Sequence, residues 1–127
     1  MRKTKTITIE DNNRDKGKTF VITEMDAERA EYLAFCVLHE IVLIEGKDGT
    51  ENTGLAGLFE KGMEGIFKIP PDRAKPIFDA LMSCVKIKME SIERNLVASD
   101  IEEITTRMRL KMEVFRLHTD FFTLGAA

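Results

Sequence analysis

Asp11, Asn13, Asp15 and Gly17 in "DNNRDKG" are spaced like the opening of a calcium-binding loop, where oxygen ligands recur at every second residue. Such a loop also needs glycine at its sixth position for the turn and glutamate at its twelfth for bidentate ligation. Counted from Asp11, those positions hold Lys16 and Ile22. A lysine repels the cation and an isoleucine cannot ligate it, so calcium is excluded. His39 and Glu40 in "HEIVL" share two letters with the zinc-protease motif, but the second histidine is missing, and the only other one is His118. Gly57 and Gly62 in "GLFEKGM" stand at phosphate-loop spacing, yet Met63 occupies the lysine position. No serine sits in a GxSxG context, and Cys36 and Cys84 form neither a CxxC pair nor a nucleophile signature. The expectation is a protein with no catalytic group, no metal and no cofactor. It is not expected to be an enzyme.

With ligation set aside, the loop around Asp11–Gly17 becomes a connection between strands, where Asp and Asn bond to their own backbone and Gly17 supplies a positive φ. Residues 4–9, "TKTITI", alternate and are β-branched, and "KTFVIT" at 18–23 repeats the signal, so 1–25 is expected to form an antiparallel hairpin. Asp26 is placed to cap a helix over 26–45, with Glu28 and Glu31 near its positive end. Residues 46–69 are punctuated by glycine and are expected to be loosely helical and mobile. Pro70 and Pro71 open a helix over 70–86 whose Ile77, Phe78, Leu81, Met82 and Val85 share a face. "VKIKM" alternates, so 85–98 reads as a short hairpin or a loop.

The last helix is expected over 99–124, with Ser99 or Asp100 as its cap and Glu102 or Glu103 completing a capping box. At about 100° per residue, Glu102, Arg109, Glu113, Arg116 and Asp120 fall on one stripe, which is expected to face solvent. Ile101, Ile104, Met108, Met112, Phe115 and Phe122 form one apolar face. Leu110, Val114, Leu117 and Phe121 form another, with Arg107, Lys111 and His118 between the two. A helix on a monomeric core needs only one such face. Two faces imply either a core side and a partner side, or deep burial with the long polar chains reaching out to water.

At 127 residues the chain is long enough for a single domain, 1–127, with its own core. Its 43% apolar and 32% charged residues are those of a soluble globular protein. A net charge of −3 disfavours nucleic acid as a partner, and "MRKTK" is too short a basic cluster to reverse that. The two cysteines lie in apolar runs and read as free thiols. "YLAFCVLHEIVLI" is broken by His39 and Glu40 and is too short to span a membrane, and the N-terminus lacks the apolar core of a signal peptide. A soluble intracellular protein is expected. The seven methionines suit either core packing or an adaptable binding face. The fold class expected is α+β: an N-terminal antiparallel β-hairpin followed by a mainly α-helical domain with a long C-terminal helix.

Three stretches then carry a resemblance. "RDKGKTFVITEMDAERAEYLA" at 14–34 has the form (D/R)xGKxFxITxM leading into A-x-x-A-E, and "LKMEVFRLHTDFF" at 110–122 has the form L-x-x-E-V-x-x-x-H/N-x-x-FF. With "PPDRAKPIFDALMSCVKI" between them, the chain resembles the tail assembly chaperones of long-tailed bacteriophages. It departs at Asp26, where those proteins often carry proline or serine, and residues 46–66 follow no family pattern. The resemblance implies a non-enzymatic protein of the host bacterial cytoplasm, absent from the mature virion, that binds the tape measure protein and recruits tail tube protein. Many members of that family are also made in a second, longer form by frameshifting, and this chain would correspond to the short form. Leu110, Val114, Leu117 and Phe121 are then the expected contacts with tape measure protein or with a second copy in a homo-oligomer. A structural tail-completion or connector protein of the virion is the alternative.

Overall fold

The computed structural model describes residues 1–45 and 68–126, with side chains described for 1–40 and 68–118. Its elements are β1 (Thr4–Thr8), β2 (Thr19–Thr23), α1 (Ala27–Glu45), α2 (Pro71–Met82), β3 (Val85–Met89), β4 (Ile92–Asn95), a 3-10 turn at Ala98–Asp100 and α3 (Ile104–Ala126). The chain is therefore mixed α+β. The single domain expected over 1–127 divides into two compact units, Met1–Glu24 with Leu81–Leu117 and Met25–Ala80 with His118–Ala127.

In the first unit the expected hairpin forms, with Ile7 opposite Phe20 and Thr4 opposite Thr23. Backbone bonds from Ile9 to Lys18 and from Gly17 to Ile9 close its loop end, where Gly17 sits at φ 88. The hairpin is not followed by helices alone. "VKIKM" and "IERN" return as β3 and β4, and β2 pairs with β3 to give one antiparallel sheet in the order β1-β2-β3-β4. The alternation that left 85–98 open between hairpin and loop resolves as a hairpin. Its two-residue connection holds Glu90 at φ 57.

Period-two alternation sorts the sheet into two faces. Ile7, Phe20, Ile22, Val85 and Ile87 share one face by register and are all buried. Lys5, on that same face, pairs with Glu113 of α3, which lays the helix across it. Leu110 and Val114 of α3 are fully buried, and Leu117 nearly so. The opposite face carries Thr4, Thr6, Thr8, Lys86, Lys88, Glu93 and Asn95, all exposed.

The second unit holds α1, most of α2 and the end of α3. Asp26 caps α1, its carboxylate accepting from Arg29 N–H at 3.1 Å and its carbonyl from Ala30 N–H at 3.0 Å. α2 begins at Pro71, with the Pro70 carbonyl accepting from Arg73 and Ala74, and ends at Met82, so Val85 belongs to the sheet and not to this helix. Ile77 and Ala74 are its buried positions in this unit. His118 accepts the Met25 backbone N–H through Nε2 at 2.8 Å. The stretch expected to be glycine-rich and mobile, 46–69, lies outside the described residues except for Lys68 and Ile69.

Candidate partner-binding surface

The oxygen-rich loop that resembled a ligand set is occupied by the protein itself. Asp15 is fully buried, and its two carboxylate oxygens accept the backbone N–H groups of Glu102 and Glu103, each at 2.9 Å. The Glu103 carbonyl accepts from Arg107 in the first turn of α3, so Asp15 caps that helix from across the fold. Lys18 Nζ lies 3.0 Å from Asp15 Oδ1 and donates to the Asp100 carbonyl at 2.8 Å. Arg14 adds 2.6 Å and 2.8 Å bonds to the Glu103 carboxylate and the Glu102 carbonyl. Burial by itself would push the Asp15 carboxyl up. The Glu102 and Glu103 N–H groups, the Thr106 hydroxyl and Lys18 outweigh it and hold the carboxyl well below its ordinary range. Thr106 Oγ1 is buried, with no partner of full hydrogen-bond geometry among the described residues.

Asp100, one of the two residues expected to cap the last helix, does not. It is buried in the 3-10 turn and takes a bidentate pair from Arg94 at 2.8 and 2.6 Å, plus the Val97 N–H at 2.8 Å. The Arg94 guanidinium lowers its carboxyl against the opposing effect of burial. α3 accordingly starts at Ile104, after an extended Ile101, and not near residue 99.

This anchoring fixes which face of α3 is the core side, and it corrects the expected partner residues. Leu110 and Val114 at 0% exposure and Leu117 at 7% lie in the core, so they are closed to a partner, while the side chain of Phe121 is outside the described residues. Of the stripe expected to face solvent, Glu102, Arg109 and Arg116 are exposed, the side chain of Asp120 lies outside the described residues, and Glu113 alone departs. Glu113 is buried, and its carboxylate takes Lys5 and Arg116. The other apolar face turns outward at its start, with Ile104 77% and Met108 41% exposed and Met112 half-buried. Ile101, assigned to that face, is buried. On α1, Tyr32 and Phe35 are 74% and 64% exposed and stand one turn apart. Sequence periodicity had picked out the Ile104–Met108 face but could not say which of two equally apolar faces the sheet would take. The Tyr32–Phe35 pair was missed because "YLAFCVLHEIVLI" is apolar almost all round.

An open groove of about 540 Å³ is lined by Lys18, Lys88, Glu90, Ser99 and Asp100 among others, but its Lys18 and Asp100 are committed to the contacts above. Among the described residues no group of three or more His, Cys, Asp or Glu could hold a metal ion, and no helix is long and apolar enough to cross a membrane. Cys36 is half-buried and Cys84 buried, both as free thiols. His39 is exposed on α1. No protein-family model, no curated protein and no solved structure matches the chain.

Proposed function

We propose that this chain is a non-catalytic assembly factor that works by binding other proteins. In its sharpest form the reading is a tail assembly chaperone of a long-tailed bacteriophage, acting in the host cytoplasm on tape measure protein and tail tube protein. The observation that carries it is the set of large apolar side chains left in water on otherwise regular helices: Tyr32 and Phe35 on α1, Ile104 and Met108 on α3. Exposed apolar side chains arranged along a helix suit the coating of another apolar helix. The resemblance at 14–34 and 110–122 supplies the identity of the partner, and in this reading α3 continues as one long helix through Phe121 and Phe122. Those stretches also hold Asp15, Lys18, Leu110 and Val114, so part of the resemblance lies in residues that build the fold.

The test is co-expression with the tape measure and tail tube proteins of the same phage. The wild-type chain should co-purify with tape measure protein, and Ile104→Glu with Met108→Glu should abolish that while the circular dichroism spectrum stays unchanged. Loss of neither contact, or recovery of the chain as a stoichiometric component of purified virions, would sink the reading.

A further inference from the structure

The two exposed apolar pairs carry opposite charge around them. On α3, Ile104 and Met108 are flanked by Arg107 and Arg109, both exposed and without an ion-pair partner among the described residues. At about 100° per residue these arginines fall on either side of the Ile104–Met108 line. On α1, Glu28, Tyr32, Phe35 and His39 follow one another at helical spacing along an exposed row, with Glu31 at its edge. Glu28 and Glu31 likewise have no ion-pair partner among the described residues. Arg29, also exposed, lies at the other edge of the α1 row, so the α3 pair is bordered by basic charge and the α1 pair by two acids and one base, a net acidic border.

The same polarity runs through the units that carry them. Met1–Glu24 with Leu81–Leu117 holds thirteen Lys and Arg against ten Asp and Glu. The remainder holds six against twelve. An acidic helix with two aromatic anchors is what the α3 stripe would recognise, and the chain itself contains one. We infer that this protein self-associates by seating the Tyr32–Phe35 face of α1 from one copy on the Ile104–Met108 face of α3 of a second copy. Apolar contact supplies affinity there, and the Arg107/Arg109 and Glu28/Glu31 charges steer the encounter and set the pairing. The inference draws on the same exposed faces as the proposed function, but its test uses the purified chain alone, so either can fail without the other.

The experiment is sedimentation velocity on the full chain across a concentration series. The wild type should associate, and association should weaken as salt is raised from about 50 mM to about 500 mM. Phe35→Glu and Met108→Glu should each weaken association by about tenfold or more, since each puts a charge into an apolar anchor. Mixing these two variants should restore a complex, because one keeps an intact α3 face and the other an intact α1 face. Should Met108→Glu fail to fold, the pair Arg107→Glu with Arg109→Glu replaces it, and rescue should come from a chain carrying Glu28→Lys with Glu31→Lys. A wild type that stays monomeric throughout would overturn the inference. So would association that survives both variants, or variants that fail to complement each other, since that would mean like faces pair with like.

Discussion

Asp15 is the residue on which most of the sheet unit's polar order depends. It replaces water for two backbone N–H groups of a segment far along the chain, and its charge lies at the positive end of α3. Asp15→Asn keeps the shape but removes the charge and turns an amide N–H₂ toward donors. A loss of about 2–4 kcal/mol in urea unfolding is expected. The pH dependence has a definite sign. The folded carboxyl titrates below its ordinary value of 3.8, so its contribution is complete above about pH 4 and is lost as the pH falls through the folded value. Asp100 acts in the same direction. The wild type should therefore lose stability steeply on acidification below about pH 4, and Asp15→Asn should flatten that branch; equal slopes would refute the assignment.

At the scale of elements, α3 is defined by which of its faces meets the sheet. Leu110→Ala should cost about 2–5 kcal/mol, because it opens a cavity in a fully buried position. Met108→Ala should stay within about 0.5 kcal/mol, because that side chain is partly in water. Chemical denaturation of the two variants measures both, and the reverse ranking would invert the face assignment. Local patterns were legible in the sequence wherever the cause was local. "TFVIT" alternates because one face is buried, Asp26 precedes its helix because it caps it, and Pro71 opens one because it lacks an N–H. What was not legible depends on residues far apart. Nothing near residue 103 says that its cap comes from Asp15, and nothing within α3 says that Lys5 draws Glu113 and its neighbours inward. Ser99 and Asp100 form a plausible cap by spacing alone, but Arg94 claims Asp100. The candidate partner surface was legible only as one of two faces, since composition does not distinguish Leu110 and Val114 from Ile104 and Met108.

The whole chain crosses between its two units three times, after Glu24, Ala80 and Leu117. Neither unit is a continuous piece of sequence, and the sheet unit depends on joining its first strands to β3 with all of α1 and α2 in between. A pairing that distant closes a large loop before it returns any contact energy. A chain lacking residues 1–24 loses Phe20 and Ile22 and leaves β3 with one strand beside it, too little for a stable sheet. It should bind anilinonaphthalene sulfonate and unfold without a cooperative transition, whereas a cooperative melt would show that the remaining strands and α3 suffice.

The cap supplied by Asp15 also turns two amide protons into a clock. The N–H groups of Glu102 and Glu103 are held by a carboxylate from the hairpin loop and not by their own helix. Their exchange with deuterated solvent waits on the loop lifting away from α3, while amides deeper in α3 wait on the helix itself opening. Slow exchange at these two positions measures how often the amino-terminal hairpin lets go of a helix near the other end of the chain.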